Sequence, residues 1–315
     1  MISKKNIKKL KGDASHRIFY RKINKDSSSI LVFAKKDKKS NLLNYDAVNR
    51  ILIKNNILAP KLLNENYSKN FIEIQDFGDQ TIFDLFKKKK VHQLLIFKKI
   101  IKLLRNIQII RLRKIKNFRK NNYQIPLYES KILLDEAKLF SDWYVKKKLT
   151  KTKYQFFKKK FIKEIKKLIK KLHLKNDTFV HRDFHVSNLM ITKNKIGIID
   201  TQDALIGNRA YDLASLIDDV RFKTSTRIKQ KVYKLYLSFH KKIKKNHFKN
   251  DFEIISVLRN LKIIGIFTRL ALRDKKKKYL SLIPHAWKLI ELRSRNNDKF
   301  KNLNDLLYTI KKVRK

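Results

Sequence analysis

The sequence contains no cysteine among its 315 residues, and it has only 5 glycines and 3 prolines. The absence of cysteine excludes a disulfide framework, thiolate catalysis and a cysteine-based zinc site. No uninterrupted apolar run reaches the roughly 18 residues that a membrane-spanning helix needs. The first ten residues are basic and lack the apolar core of a signal peptide. We therefore expect no membrane insertion and, by default, a cytoplasmic location.

Acidic residues are also few, since 27 Asp and Glu stand against 79 Lys and Arg, which gives a formal net charge of +52. Taken alone, such a charge predicts binding to nucleic acid or to an anionic membrane surface. Lysine is spread along the whole chain, however, and isoleucine and asparagine are abundant throughout. We interpret this as a global composition bias that places most lysines on solvated faces. No specific nucleic-acid partner is therefore expected.

The apolar share of 43% is enough for a sizeable core in one large or two modest domains. Apolar spacing predicts strands in the first part of the chain and mainly helices from residue 81 onward. The predicted elements are a basic helix over 1–10, a strand hairpin over 18–34, a helix over 41–55, a strand-rich stretch over 57–77, and helices over 91–113, 129–148, 154–174, 210–221, 226–247, 251–272, 283–295 and 303–313. We place the boundary between two lobes near residues 78–80.

The stretch from His181 to Asn188 carries the strongest chemical signal. It is followed by two short apolar runs around a polar turn, which predict a β-hairpin that ends at Asp200. A His-x-Asp-x-x-x-x-Asn loop followed by a further Asp is typical of kinase-type phosphoryl transfer. In that chemistry Asp183 accepts the substrate hydroxyl proton, while Asn188 and Asp200 hold Mg²⁺ against the ATP phosphates.

Simpler interpretations of the same residues exist. Asp183 alone would be read as a turn residue and Asn188 as a cap. The five-residue offset, the preceding His181 and the following Asp200 together favour the catalytic interpretation. The pair His181 and His185 has the spacing of metal ligands on a helix, but it lies in a strand and loop context. We assign His181 a packing or loop-bracing role and leave His185 unassigned.

Two further segments suit a nucleotide. Gly12 to Ser15 is a small-residue loop before the first hairpin, and such loops cover ATP phosphates with backbone N–H groups. Taken on its own, this stretch is better interpreted as an ordinary turn. The apolar strand over 71–74 runs into Gln75, Asp76 and Phe77, where backbone groups of a hinge would meet the adenine edge. The simpler interpretation is a buried strand that runs into a turn, and this is compatible with a role as the hinge.

The chain resembles the aminoglycoside phosphotransferase/choline kinase superfamily. The supporting segments are residues 181–188, 198–204 and 209–216. Within that superfamily it is most similar to the anomeric kinases of N-acetylmuramate and N-acetylglucosamine that serve cell-wall recycling. The segments that carry this narrower match are residues 12–15, 75–79, 142–144 and 260–270, and the resemblance extends from about residue 11 to about residue 295.

The resemblance implies a fold, two cofactors and several residue roles. The fold is α+β and protein-kinase-like, with a small β-rich N-lobe (1–78) and a larger, mainly helical C-lobe (79–315). ATP and Mg²⁺ are the implied cofactors. Asp183 is the implied catalytic base, Asn188 and Asp200 are the implied metal ligands, and Asp212 is a buried carboxylate that braces the catalytic loop together with His181.

The chain departs from the family pattern at the phosphates. The third strand of the N-lobe usually carries a lysine that pairs with the ATP phosphates, whereas here the strand reads Ile30 to Ala34 and only its end carries Lys35 and Lys36. The glycine-rich loop is reduced to one glycine, Gly12. We expect the phosphates to rely on Ser15 and on backbone N–H groups, and we leave open whether Lys35 or Lys36 contributes.

The acceptor is the least determined part of the prediction. Glu136, Trp143 and Arg269 are candidates for a sugar site, because sugar sites often combine polar side chains with an aromatic platform; a core tryptophan and a surface ion pair are the alternatives. We predict an ATP-dependent kinase of the anomeric hydroxyl of an N-acetylated amino sugar, with ATP and a small sugar as partners and the oligomeric state open. Choline, homoserine, an aminoglycoside or another sugar is the alternative acceptor. A non-catalytic basic nucleic-acid or membrane-surface protein on a kinase-like fold is the alternative without an enzyme.

Overall fold

The computed structural model describes residues 6–10, 17–25, 27–88, 91–193 and 195–312. The nucleotide candidates Gly12 and Ser15 lie outside these residues. The chain forms two compact units, which are Met1–Pro126 with Thr178–Ile206 (the first unit) and Leu127–Asp177 with Gly207–Lys315 (the second unit). Each unit combines separate stretches of chain, so the lobe boundary near residue 78 is a different division and stays a prediction.

A five-stranded antiparallel sheet opens the first unit, in the strand order β1-β2-β3-β5-β4. Its strands are β1 (Ile7–Lys9), β2 (Ile18–Ile23), β3 (Ser28–Phe33), β4 (Leu62–Asn66) and β5 (Phe71–Gln75). The predicted hairpin and the strand-rich stretch are confirmed.

The basic helix predicted over residues 1–10 is wrong in its described part. Residues 7–9 form an edge strand, in which Ile7 pairs with Lys22 and Lys9 with Tyr20. The unpaired edge of β2 offers these residues backbone hydrogen bonds, and the lysines of an edge strand reach solvent as readily as those of a helix.

Helix α1 (Ser40–Lys54) packs on the sheet and closes its core, as the apolar spacing over 41–55 predicts. Leu42 and Tyr45 of the helix meet Val32 of β3 and Ile72 and Ile74 of β5 in one buried cluster. These side chains recur at helical spacing in α1 and at alternate positions in β5, so both elements present one apolar face to the other.

The rest of the first unit consists of short elements. They are α2 (Ile82–Lys87), α3 (Gln93–Gln108), the hairpin β6 (Lys114–Lys116) and β7 (Asn122–Gln124), β8 (Asn176–Val180), which ends in this unit, the hairpin β9 (Leu189–Thr192) and β10 (Lys195–Ile198), and β11 (Leu205–Asn208), which begins in it. The predicted hairpin before Asp200 is confirmed. The helix predicted over 91–113 ends at Gln108, and β6 and β7 escape prediction because three-residue strands are too short to show alternation.

The second unit is mainly helical, as predicted, although the helix predicted over 226–247 ends at Ser238 and the helix predicted over 251–272 begins at Lys245. Its helices are α4 (Ser130–Leu139), which continues as a π-helix (Phe140–Val145), α5 (Lys151–Lys170), α6 (Ala210–Ile217), α7 (Thr226–Ser238), α8 (Lys245–Leu272), α9 (Ile283–Ser294) and α10 (Lys301–Lys312). The long helix α8 is the centre of the unit and packs against α4, α6 and α9. In the described part of the chain, no helix has both the length and the apolar content that a membrane crossing would require.

Gly265 allows α8 to approach α4 closely. A Cβ atom added at this position would lie 2.3 Å from the carbonyl carbon of Leu139 and 2.6 Å from the backbone nitrogen of Phe140. Any side chain would therefore collide with backbone, which cannot move aside as a flexible side chain can. Gly265 therefore permits close packing at the junction between α4 and the π-helix.

Candidate functional site

The hairpin of β9 and β10 brings two predicted metal ligands together. Leu189 pairs with Ile198 at its open end, so Asn188, just before β9, lies close to the residues that follow β10. The backbone N–H of Ile199 donates to the carbonyl oxygen of Asn188 at 3.1 Å. Asn188 and Asp200, separated by a hairpin in sequence, are thus neighbours in space.

The hairpin is held on both of its edges by other parts of the first unit. The N–H of Ile198 donates to the carbonyl of Leu58 at 2.8 Å, and the N–H of Ile191 donates to the carbonyl of Gln80 at 2.9 Å. The ring of Phe77 packs on Gly197, where an added Cβ atom would lie 2.6 Å from the ring. The predicted hinge segment and the predicted metal ligands therefore belong to one packed arrangement.

Two hydrogen bonds to the backbone of Asp183 fix the loop that contains this residue. The carbonyl oxygen of Asp183 accepts from the N–H of His185 and from the side-chain amide of Asn188, both at 3.0 Å. Because a carbonyl oxygen can only accept, the amide nitrogen of Asn188 must face it. The amide oxygen of Asn188 is then the atom that can bind a metal.

His181 ties the start of this loop to the strand before Asp200. The imidazole is fully buried, and its Nε2 lies 3.1 Å from the carbonyl oxygen of Ile199, so Nε2 carries the proton and donates. Burial lowers the pKa of His181, although the nearby carboxylates of Asp183 and Asp200 act against this. A neutral, buried histidine that fixes the loop is consistent with the bracing role, which stays a prediction.

Backbone strain is concentrated at the same place. Arg182 and Asp200 adopt left-handed backbone conformations with φ values of 74° and 64°, although neither is glycine. Residues held in this region cost of order 1–3 kcal/mol and cluster at functional sites. Thr201, next to Asp200, is anchored by a 2.6 Å hydrogen bond from its hydroxyl to Asn49 of α1, both groups being buried.

Arg17, just before β2, is the main contact that sequence reasoning missed. Its guanidinium donates to Asp200 Oδ1 at 2.5 Å and to Gln202 Oε1 at 2.5 Å. The side chain of Arg17 is 8% exposed and that of Asp200 is 33% exposed. The available signal was weak: an arginine, in a chain whose cations are mostly lysine, directly follows the small-residue loop that ends near Ser15.

The carboxylates near Asp200 shape its electrostatics. Burial raises the pKa of Asp200 above its usual value; the Arg17 guanidinium opposes this, and the carboxylates of Asp183 and Asp203 add to it. Such a concentration of negative charge favours a divalent cation.

The donor set fits Mg²⁺, although the residues that the structure describes contain no group of three or more His, Asp or Glu side chains suited to a metal. Magnesium keeps several waters and is bound by one or two carboxylates together with substrate phosphates. The carboxylate of Asp200 and the amide oxygen of Asn188 are sufficient for a site of that kind.

The hinge candidates differ in what they can offer a nucleotide. The Asp76 carboxylate accepts from Arg21 at 2.5 Å, from the Ser28 hydroxyl at 2.8 Å and from the N–H of Gly78 at 2.8 Å. Its side chain therefore shapes the hinge, and Phe77 is buried against Gly197. Contact between adenine and backbone groups of Gln75 to Phe77 stays a prediction.

The acceptor candidates lie in the second unit and differ in their surroundings. The Glu136 carboxylate accepts from Lys262 at 2.9 Å and from the hydroxyl of Tyr128. It takes part in an ion pair, but this pair is largely buried and does not lie at the surface as the simpler interpretation suggests. Trp143 is half-buried in the π-helix, a distortion that is frequent at functional sites.

Arg269 of α8 is half-buried, and its Nε is buried without a hydrogen-bond acceptor among the described residues. Burial lowers the pKa of Arg269, and the neighbouring Arg273 adds to this effect. An arginine remains charged in any protein, so Arg269 is a cation with one N–H donor that finds no acceptor in the part of the chain that the structure describes.

Asp212 is fully buried in the first turn of α6. It is not the N-terminal cap of that helix, because the helix begins at Ala210 and Arg209 is the residue at the cap position. Asp212 is therefore not explained as a helix cap, and its role in bracing the catalytic loop stays a prediction.

Comparisons with known proteins place the chain in a family. The model of the phosphotransferase enzyme family matches residues 6–240. The N-acetylmuramate/N-acetylglucosamine kinase of Neisseria meningitidis serogroup B is 28% identical over 284 residues, which are 86% of this chain and 80% of that protein.

Solved structures show the same fold at low identity. A choline/ethanolamine kinase family protein from Mesorhizobium loti superimposes with a TM-score of 0.64 at 12% identity, over 95% of this chain and 92% of that chain. The ADP-bound aminoglycoside phosphotransferase APH(2'')-Ib gives a TM-score of 0.61 at 15% identity, over 90% of this chain and 92% of that chain. The predicted α+β, kinase-like fold is confirmed. The chain belongs to the phosphotransferase enzyme family, within the aminoglycoside phosphotransferase/choline kinase superfamily.

Proposed function

We propose that this phosphotransferase moves the γ-phosphoryl group of ATP to the anomeric hydroxyl of an N-acetylated amino sugar, N-acetylmuramate or N-acetylglucosamine, for reuse of cell-wall sugars. The observation that carries the proposal is the similarity to kinases of these two sugars at 24–28% identity across 86–95% of the chain. The arrangement of Asp183, Asn188 and Asp200 in the first unit suits the chemistry.

Phosphoryl transfer needs positioning and charge neutralisation more than covalent chemistry from the protein. Asp183 would orient the acceptor hydroxyl and take its proton while the sugar oxygen forms a bond to the γ-phosphorus and the bond from that phosphorus to the β-γ bridging oxygen breaks, releasing ADP. An anomeric hydroxyl is more acidic than an ordinary sugar hydroxyl, so Asp183 does not need a strongly raised pKa. Asn188 and Asp200 would hold Mg²⁺, which when bound would neutralise charge on the phosphates.

The acceptor proposal uses the polar candidates of the second unit. N-acetylmuramate carries a carboxylate that N-acetylglucosamine lacks, and Arg269 has a buried Nε without an acceptor among the described residues. We assign Arg269 to that carboxylate and Trp143 to a face of the sugar ring. Glu136, already paired with Lys262, would bind the sugar only by sharing its carboxylate.

The decisive experiment is an acceptor panel with labelled ATP, Mg²⁺ and the purified full-length chain. The panel contains N-acetylmuramate, N-acetylglucosamine, the methyl glycoside of N-acetylglucosamine, choline, homoserine and an aminoglycoside. We expect turnover of the two free sugars, none of the methyl glycoside, because its anomeric oxygen is blocked, and none with the Asp200→Asn variant. Phosphorylation of the methyl glycoside would refute the anomeric position, and turnover of choline, homoserine or the aminoglycoside alone would refute the sugar.

A further inference from the structure

The third strand of the sheet has no cation where related kinases carry their phosphate-binding lysine. Strand β3 contains only serine and apolar residues, and its Val32 is fully buried against α1. Lys35 and Lys36 follow the strand and are exposed. Strand β3 itself therefore offers the phosphates no positive charge.

Arg17 supplies a buried cation near this position. It precedes β2, the strand paired directly with β3 through Phe19 and Val32. Its guanidinium lies 5.6 Å from the ring centroids of both Phe19 and Tyr45, and Tyr45 belongs to the same buried cluster as Val32. The guanidinium thus emerges from the face of the sheet that packs on α1.

The guanidinium of Arg17 reaches Asp200, the predicted metal ligand. One terminal nitrogen donates to Asp200 and the other to Gln202, each at 2.5 Å. A metal on Asp200 would hold the nucleotide phosphates within reach of the same guanidinium. Because arginine has five N–H donors, it can bond a phosphate oxygen and still keep a bond to Asp200.

We propose that Arg17 is the phosphate-binding cation of this enzyme and takes the role of the missing β3 lysine. This inference rests on the proposed use of ATP and assigns a residue within it. Arginine suits the task because its planar guanidinium bonds phosphate oxygens in pairs and is less strongly hydrated than an ammonium group. The rings of Phe19 and Tyr45 would keep the guanidinium in place.

The test is titration calorimetry of the full-length chain with ATP, ADP, AMP and adenosine at saturating Mg²⁺. In Arg17→Gln we expect ATP affinity to fall about 10- to 100-fold, as for the loss of hydrogen bonds to a charged group. The loss should shrink along the series from ATP to AMP, and adenosine affinity should not change. Arg17→Lys should retain part of the preference for ATP over adenosine, because it keeps the charge but not the paired donors.

Lys35→Ala is the matched control, since it removes one exposed positive charge near the same sheet. It should bind every ligand of the series as the unchanged protein does. An equal loss for adenosine and ATP in Arg17→Gln would show that Arg17 only supports the fold, and would overturn the assignment. So would a loss of ATP affinity in Lys35→Ala with none in Arg17→Gln.

Two further outcomes separate this assignment from the proposed function. An unchanged protein that binds ATP, together with an Arg17→Gln variant that binds it equally well, would overturn the role of Arg17 alone. An unchanged protein that binds none of the four ligands would overturn the proposed function, and the role of Arg17 with it. If Arg17→Gln does not fold, as judged by its thermal melt, Arg17→Lys decides by the ratio of its ATP and adenosine affinities.

Discussion

Asp183 lies half-buried in a loop whose backbone is fixed by Asn188 and His185. Substitution by asparagine keeps the shape and removes the proton acceptor. We expect kcat to fall by about 10²- to 10⁴-fold, the usual contribution of a general base. The KM for ATP should change little, because Asp183 is assigned to the acceptor hydroxyl. Steady-state kinetics with N-acetylglucosamine measures both quantities.

Asp37→Asn is the control for this substitution, since Asp37 is exposed and belongs to no proposed site. Its kinetics should match those of the unchanged protein. A large rise in the KM for ATP with unchanged kcat in Asp183→Asn would mean that Asp183 holds the metal and nucleotide.

Arg269 distinguishes the two proposed sugars. If its guanidinium binds the carboxylate of N-acetylmuramate, Arg269→Gln should raise the KM for that sugar by about 10- to 100-fold, the value of a charged hydrogen bond. The KM for N-acetylglucosamine, which has no carboxylate, should stay within about twofold. Kinetic constants for both sugars on one variant provide the measurement.

The control is Arg273→Gln, one turn beyond Arg269 at the C-terminal cap of α8, where the exposed arginine is paired with Asp274 at 2.8 Å. It removes the same charge without touching the assigned residue, so both KM values should stay unchanged. Equal effects of Arg269→Gln on the two sugars would argue against carboxylate recognition.

Helix α6 carries Asp212 in its first turn, and the side chain of Asn208, two residues before the helix, accepts from the N–H of Ala210 at 3.0 Å. If Asp212 braces the catalytic loop, Asp212→Ala should lower kcat by about 10²-fold, because small displacements of catalytic groups have effects of that size. If it only supports the helix, the melting temperature should fall and kcat should stay nearly intact. Thermal melts and kinetics of the one variant separate the two roles.

Asn208→Ala gives the reference for a purely structural loss at the same helix end. It removes the bonds of Asn208 to the N–H of Ala210 at 3.0 Å and to the buried Asp251 at 2.6 Å, and each lost hydrogen bond lowers stability by about 0.5–1.5 kcal/mol. We expect it to melt earlier with kcat largely preserved. An Asp212→Ala variant that behaves in the same way would remove the bracing role.

The close contact of α8 with α4 predicts the sign of the stability change when alanine replaces Gly265. Alanine in place of glycine inside a helix normally stabilises it by about 1 kcal/mol. At Gly265 the new methyl group would meet the backbone of Leu139 at 2.3 Å. We expect Gly265→Ala to lower the free energy of unfolding by about 1–3 kcal/mol, the usual effect of overpacking. Urea denaturation measures it.

Asn246→Ala, at an exposed position in the first turn of the same helix, should be neutral or slightly stabilising. A Gly265→Ala variant as stable as this control would mean that α4 and α8 can separate without loss.

At the scale of the whole molecule, one buried carboxylate joins four helices of the second unit. Asp218, at the end of α6, accepts from Lys229 of α7, Ser256 of α8 and Arg293 of α9 at 2.7–2.8 Å. Burial alone would raise the pKa of Asp218, but the two cations outweigh it and hold that pKa below its usual value. Removal of one partner from a buried charged group is strongly destabilising, by about 3–5 kcal/mol.

This pKa shift gives stability a definite pH dependence. Because the pKa of Asp218 is lower in the folded than in the unfolded chain, its contribution is complete above the unfolded value of about 3.9 and is lost as the pH falls below it. We expect the melting temperature of the unchanged protein to fall more steeply between about pH 4 and pH 2 than that of Asp218→Asn. Asp218→Asn should already melt lower at neutral pH, because it leaves Lys229 and Arg293 without their counter-charge.

Asp305→Asn, an exposed substitution on α10, controls for the loss of one carboxylate in a chain of charge +52. Its melting curve should follow that of the unchanged protein at every pH. Parallel acid slopes in Asp218→Asn and in the unchanged protein would show that other groups cause the acid dependence.

The sequence by itself determined those parts of the protein that local patterns specify. The helices of the second unit, the paired strands around residues 18–34 and the hairpin before Asp200 follow from apolar spacing and turn residues. The spacing of Asp183, Asn188 and Asp200 indicated the chemistry, because a hairpin of that length brings its two ends together. Short elements such as β1 and β6 carry too few residues for such a pattern.

Only the tertiary structure decided which distant residues meet. Arg17 and Asp200 are 183 positions apart, and no periodicity of either segment indicates that they form an ion pair. The same holds for the ring of Phe77 on Gly197 and for the partners of Asp218. Local preferences set the type of an element, whereas long-range contacts depend on how the elements pack, and this packing brought the buried Arg17 to Asp200.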